Sequence, residues 1–315
     1  MTTREGRAIA LTDDGALVLT GPDAALALCM PWLPIGRREV SAGAARAVLE
    51  VQLALPDEAV VAERAATFTL GGVAVTVDGD VARLSGGASG GVSLGGARAD
   101  LRLPASEDET SALFRRSALT AAAALLLGRI GRALAHAGAV VHPTSGRAWL
   151  LVGDTHAGKS TTVANLARAG WGVLADDTVS LGVDATGAVT VEGWPRTMHL
   201  DAGWGSAAPA GHRVARDPRE VLAGAPRAAP AALGGLLFPN VDAERPTRAT
   251  ARSGADALAL LIRQSPWLFA DALAAPSVLA LLRAAASAPA AALSLGTDSF
   301  GDPARLDAAV RAATG

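Results

Sequence analysis

The sequence predicts an α/β fold built around a strand–loop–helix unit and preceded by a β-rich N-terminal domain. Three observations lead there. A glycine-bearing loop, Gly153–Thr161, stands between an apolar strand and a helical run. Beyond it, strand and helix patterns alternate to the end of the chain, the rhythm of helices layered on a sheet. Before about residue 105, short apolar runs are punctuated by Gly-Gly and Asp-Gly pairs, which mark strands joined by turns.

In the first part the strand candidates are Ala47–Leu55, Phe68–Leu70, Val73–Val77 and Ala99–Leu103. Gly71-Gly72, Asp78-Gly79, Gly86-Gly87 and Gly90-Gly91 separate many of them. This predicts a mostly antiparallel β domain over 1–107, a candidate for substrate recognition. Leu84-Ser85-Gly86-Gly87 spells the start of an ABC-transporter signature. It precedes the Gly153 loop instead of following it, and reads as a glycine turn between strands.

The second domain is expected over 108–315. Ser106-Glu107-Asp108-Glu109 suits a helix start, where acidic groups meet the positive end of the dipole. A helix follows over 109–135, with Leu126, Ile130 and Leu134 at four-residue spacing. Ala137–Val141 and Ala148–Val152 read as two strands around a turn. Helix Lys159–Ala169 then leads to strand Trp171–Ala175. Further strands are expected at Thr178–Val183, Ala188–Val191 and Leu233–Phe238, and helices at 254–264, 276–287 and 303–313.

Composition narrows the function classes. Half of the 315 residues are hydrophobic and the net charge is −2, so the chain is globular and carries no charge excess to attract nucleic acid or an anionic membrane. The single cysteine, Cys29, cannot form an internal disulfide or a cysteine zinc site, which fits a reducing compartment. Arg4, Glu5, Arg7, Asp13 and Asp14 precede any apolar run, so no signal peptide is visible. The most membrane-like stretch, Ala118–Leu127, is too short to span and is flanked by Arg115, Arg116, Arg129 and Arg132. A cytoplasmic location is expected. Of the 28 basic residues all but one are arginine, and the exception is Lys159. A compact ammonium on a thin stem enters a tight backbone loop that a planar guanidinium would not.

Gly153-Asp154-Thr155-His156-Ala157-Gly158-Lys159-Ser160 fits the phosphate-loop pattern G-x-x-x-x-G-K-[ST] at every defined position, with a strand before it and a helix after it. Glycines bare the backbone so that N–H groups point at phosphate oxygens, and the helix N-terminus adds unpaired N–H groups and a favourable dipole. Lys159 is expected to reach the β- and γ-phosphates, Ser160 to supply a hydroxyl to Mg²⁺ and Thr161 to touch the α-phosphate. The expected ligand is a nucleoside triphosphate, ATP with Mg²⁺.

The strand after the loop helix ends in Asp176-Asp177. If it lies beside the loop strand in parallel, both C-terminal ends reach one sheet edge, where ligands bind. One carboxylate can then hold Mg²⁺ and its neighbour can accept a proton from an attacking hydroxyl. His156 falls within the loop. His142, His199 and His212 show no partner pattern. His136 is expected to end the long helix, just before the strand pair that leads into the loop.

The order of these residues, His136, the strand pair, Gly153–Ser160, then Gly170-Trp171-Gly172-Val173-Leu174-Ala175-Asp176-Asp177, resembles the C-terminal domain of HPr kinase/phosphorylase and its relatives. Those proteins share a fold with ATP-dependent phosphoenolpyruvate carboxykinase, and some tailor peptide natural products such as lasso peptides. The resemblance covers about 130–180 closely and 180–300 in rhythm. It implies that Asp176 and Asp177 divide the roles of catalytic base and metal ligand, in an order left open. It implies that His136 orients an aspartate, and that a homo-oligomer forms. Glu192-Gly193-Trp194-Pro195-Arg196 differs in spacing from the family's E-x-R-G-x-G segment, and the N-terminal part differs as well. The resemblance therefore does not extend to HPr as substrate or to the phosphorylase reaction.

The expected function is an ATP- and Mg²⁺-dependent kinase acting on a hydroxyl, a serine of a peptide or small protein. The alternatives are a non-catalytic module whose hold on a peptide or partner is set by nucleotide, and a nucleotide hydrolase acting as a switch. An N-K-x-D guanine motif is impossible with the only lysine in the loop.

Overall fold

The computed structural model describes residues 7–32, 38–54, 66–194, 198–204, 210–216, 221, 228–272 and 274–314. The chain divides into two compact units. One comprises Met1–Ala133 with Pro266–Leu279, the other Leu134–Ser265 with Ala280–Gly315. Among the described residues no helix is long and apolar enough to cross a membrane.

The first unit carries a nine-stranded sheet among the described residues. Its strands are β1 (Ala8–Ala10), β2 (Leu17–Thr20), β3 (Glu39–Val40), β4 (Ala47–Leu53), β5 (Phe68–Leu70), β6 (Val73–Asp78), β7 (Val81–Gly86), β8 (Ser89–Ser93) and β9 (Arg98–Leu103). The order is β3-β1-β2-β4-β9-β8-β7-β6-β5. Pairing is antiparallel except at β2–β4 and β4–β9. Alternate residues of β4 and β9 are buried, the mark of a sheet with one covered face. A short helix, α1 (Asp23–Cys29), interrupts the strands, which the turn-rich sequence does not announce.

Helix α2 (Glu109–Arg129) covers this sheet. Asp108 caps it, Oδ1 accepting from the Ser111 N–H at 2.8 Å. Ala121–Gly128 are buried without interruption. The run that looks membrane-like in sequence is therefore a helix buried on all sides. Two of its flanking arginines are consumed by the fold. Arg115 donates to Pro104 O at 2.8 Å, and Arg129 Nε to Asp271 Oδ2 at 2.5 Å.

The helix does not reach residue 135 as its apolar spacing predicts. It stops because Gly131 takes φ 78°, and the chain reverses in a Schellman turn. The Arg132 N–H meets Leu127 O at 2.9 Å and the Gly131 N–H meets Gly128 O at 3.2 Å. Residues beyond it form a strand, so His136 is not a helix cap.

The second unit contains β10 (Ala133–Ala135), β11 (Ala137–Val141), β12 (Ala148–Val152), β13 (Gly172–Ala175), β14 (Val179–Val183), β15 (Val189–Gly193), β16 (Met198–Asp201), β17 (Arg213–Arg216), β18 (Ala231–Val241), β19 (Arg248–Ala251) and β20 (Ala290–Leu295). The main sheet runs β10-β14-β15-β18-β12-β11-β13, with β20 paired to β18 and β19. Strand β12 runs parallel to β18, and β18 parallel to β20. Strand β11 is antiparallel to both β12 and β13. The helices are α3 (Lys159–Arg168), α4 (Gly254–Arg263), α5 (Ala275–Ala286), which crosses the division between the units, and α6 (Pro303–Thr314).

The core of this unit is a cluster in which Val163 and Leu166 of α3 and Leu306 and Val310 of α6 join Val140, Trp149, Leu151, Trp171, Leu237 and Leu293. Each large side chain of this kind contributes about 1.5–3 kcal/mol when buried. Trp171 is also held by polar contacts: its Nε1 donates to Asp307 Oδ1 at 2.6 Å, and Arg311 holds the same carboxylate.

The sequence places β12 and β13 as neighbours. In the structure β11 lies between them, with Ala137 opposite Val152 and Ala139 opposite Ala175. The two strands still point the same way, because each is antiparallel to β11. The consequence is useful. The C-terminal ends of β12, β13, β18 and β20 and the N-terminal end of β11 all meet at one edge of the sheet.

Candidate functional site

That edge carries a cleft of about 370 Å³. Its walls come from the loop after β12, from α3, from the ends of β13, β18 and β20, and from His136 at the start of β11. Thr155, His156, Gly158, Lys159, Ser160 and Thr161 line one side. Val241 at the end of β18 with Ala243 beyond it, Leu295, Gly296 and Thr297 at the end of β20, and Phe300 and Leu306 line another.

The loop 153–158 is tightly wound. His156 takes φ 70° and Gly158, which precedes α3, takes φ 94°. A Cβ on Gly158 would stand 2.6 Å from Leu295 Cδ1. Only glycine combines that backbone angle with that approach. A Cβ on Gly153 would stand 3.1 Å from that of Ala157. Lys159 is 6% exposed and its Nζ donates to Gly153 O at 2.8 Å and Asp154 O at 3.0 Å. The ammonium thus closes the loop from inside, as a narrow cation can.

The two aspartates part company. Asp176 is 5% exposed, and its Oδ2 accepts from Ser160 Oγ at 3.2 Å. Asp177 opens into the cleft, its side chain 40% exposed, with Oδ1 3.1 Å from His136 Nδ1. One hydroxyl–carboxylate pair and one imidazole–carboxylate pair therefore stand side by side. Ser160 Oγ and the Asp176 carboxylate are hard oxygen donors, the kind that Mg²⁺ takes. A half-exposed carboxylate oriented by histidine suits proton transfer.

Other residues of the site are not evident in the sequence. Asp154 Oδ1 accepts from Gln264 Nε2 at 2.8 Å, and its Oδ2 from Arg263 at 2.5 Å. Asn165, buried in α3, donates Nδ2 to Phe300 O at 3.1 Å and accepts from Trp204 Nε1 at 3.1 Å, which ties the loop after β20 to the helix. In the sequence Asn165 is only a polar residue six positions past Lys159, and its burial shows only in the structure. Asp298 holds that loop in turn, through Thr247 Oγ1 at 2.6 Å and Arg305 Nε at 2.5 Å. Asp201, at the rim, accepts from the Gly203, Ala210 and Gly211 N–H groups. Burial pushes its carboxyl upward, but those N–H groups together hold it below the usual range.

His142 lies away from the cleft, edge-on to Trp171 at 4.7 Å. Its Nδ1 accepts from the Thr144 and Ser145 N–H groups. Burial, with Arg311 nearby, lowers its pKa. Arg196, the arginine of the segment after the aspartates, lies outside the described residues.

No family model matches the chain, and no curated protein matches it. Among solved structures, the Hpr(Ser) kinase/phosphatase from Coxiella burnetii matches over 57% of this chain and 94% of its own length. Sequence identity is 12% and the TM-score is 0.32, so the likeness is distant and partial.

Proposed function

We propose that this chain is an ATP- and Mg²⁺-dependent kinase that transfers the γ-phosphoryl group to a hydroxyl, a serine of a peptide or small protein. One observation carries the reading. Lys159, Ser160 and the His136–Asp177 pair line one cleft, with Asp176 held just behind Ser160 by its hydroxyl.

The backbone N–H groups of the loop and of the first turn of α3 bind the triphosphate, with Lys159 as point charge and Thr161 in the same turn. Ser160 and Asp176 would hold Mg²⁺ through their oxygens. When bound, the ion supplies charge neutralisation on the phosphates. The acceptor hydroxyl enters beside Asp177. As its oxygen bonds to the γ-phosphorus, the bond from that phosphorus to the β,γ-bridging oxygen breaks, and the proton passes to Asp177. His136, with its proton on Nδ1, keeps that carboxylate aimed. Catalysis of this type is positioning and electrostatic stabilisation. The assignment of Asp177 as base rests on its exposure in the cleft, and that of Asp176 on its contact with Ser160. The peptide acceptor rests on the resemblance of the motif order around Lys159.

The test is incubation with γ-labelled ATP, Mg²⁺ and serine-bearing peptides, with Lys159→Ala as control. Label on a peptide hydroxyl that disappears in the control supports the proposal. Nucleotide and peptide binding with no transfer to any hydroxyl would favour a nucleotide-regulated binding module instead.

A further inference from the structure

We propose that Gln264 is a positioning residue that sets the register between the two halves of the site, the 153–160 loop and the His136–Asp177 pair. The inference rests on the nucleotide-binding reading of that loop. Gln264 caps the C-terminus of α4, where its N–H meets Leu260 O and Leu261 O, both at 3.2 Å. Its backbone is therefore fixed by a helix end. From there it reaches both ways. Its side-chain Nε2 donates to Asp154 Oδ1 at 2.8 Å, and its main-chain oxygen accepts from the His136 N–H at 3.3 Å.

A continuous chain of contacts results. Lys159 Nζ meets Asp154 O, Asp154 Oδ1 meets Gln264 Nε2, Gln264 O meets the His136 N–H, and His136 Nδ1 meets Asp177 Oδ1. Gln264 is 8% exposed, so its amide is held in place by packing when it donates to the Asp154 carboxylate, whose side chain is 56% exposed. Arg263 adds a second donor to the same carboxylate, but from an exposed position, where such a pair contributes little. The amide, fixed by burial, is thus the better ordered of the two holds on Asp154. Loop positions 154–156 are otherwise exposed, and His156 and Gly158 take left-handed angles. A loop of that kind released at Asp154 by loss of Gln264 spends less time in its binding-competent form, and its apparent affinity falls in proportion.

The experiment titrates the full chain with a fluorescent ATP analogue and Mg²⁺, and measures the unfolding temperature without nucleotide. The variants are Gln264→Leu, Asp154→Ala and their combination, with Lys159→Ala as a separate control. Each single variant is expected to raise Kd about tenfold, the scale of one lost hydrogen bond to a charged group. The double variant is expected to be no worse than the worse single one, because both remove one contact. Wild-type Kd in Gln264→Leu, losses that multiply in the double variant, or a lowered unfolding temperature with unchanged Kd would each overturn the proposal. If Gln264→Leu does not fold, wild-type Kd in Asp154→Ala, at an exposed position, overturns it equally. Undiminished nucleotide binding in Lys159→Ala would instead remove the underlying reading of the loop.

Discussion

His136 Nδ1 stands 3.1 Å from Asp177 Oδ1, although three strands, a glycine loop and a helix separate the two residues in the chain. Strand β11 makes the meeting possible. It lies between β12 and β13 and runs against both, so its first end coincides with their last ends. The histidine just before β11 therefore arrives beside the aspartate that follows β13.

The separate settings of the two aspartates predict separate losses. Asp177→Asn is expected to lower phosphoryl transfer by about 10²–10⁴ while leaving nucleotide affinity nearly unchanged, as for the loss of a general base. Asp176→Asn is expected to raise the Mg²⁺ requirement by about tenfold or more. Rates measured across a Mg²⁺ series for both variants check this. An exchange of the two phenotypes would reverse the assignment.

Lys159→Arg is expected to fail almost as fully as Lys159→Ala. The side chain is buried, with its ammonium on two carbonyl oxygens of its own loop, and a guanidinium needs more width than that. Nucleotide affinity is expected to drop by at least about tenfold, the loss of one charge-assisted contact. Equilibrium binding decides it. Affinity retained in the arginine variant would show that charge alone suffices.

Acid should loosen the loop after β20 through Asp298. Burial pushes this carboxyl upward, but the Thr247 hydroxyl and N–H and the Arg305 guanidinium outweigh it, so the folded-state pKa is lowered. A lowered carboxyl stabilises the fold above its unfolded value near 3.8, and that contribution disappears as pH falls through the folded value. Asp298→Asn should therefore melt earlier than the parent at pH 7, with the gap closing as pH falls below 3.8. Thermal unfolding of both proteins across that range is the measurement. A gap independent of pH would assign the loss to packing.

Gly193→Ala should damage the fold directly. A Cβ there would stand 2.0 Å from Leu174 O and 2.2 Å from Leu174 C, on the strand that delivers Asp176 and Asp177. Backbone cannot swing away as a side-chain tip can, so a cost of at least about 3 kcal/mol is expected. A fall of several degrees in unfolding temperature, or loss of soluble protein, would agree. Parental stability would show that β13 and β15 separate easily.

Much of the site is local and therefore legible in the sequence. A strand, a loop with glycine where φ is left-handed, a lone lysine and a following helix lie contiguous in the chain, and contiguous spacing fixes their local arrangement. Asp176-Asp177 follow one helix and one strand later, close enough for spacing to place them at the same sheet edge. The end of α2 at Gly131 was legible in principle, because a glycine past the last turn is a stop signal, but the apolar spacing ran on across it. Tertiary structure alone decided the rest. The insertion of β11 between β12 and β13 is a choice of strand partner, which periodicity does not encode. The different settings of Asp176 and Asp177 follow from which way each faces at the strand end. Gln264 reaches Asp154 and His136 only because the end of α4 comes to rest beside the loop. Sequence fixes what each residue can do within its own turn or strand; contacts between distant segments depend on how the sheet is ordered, and those set the geometry of the cleft.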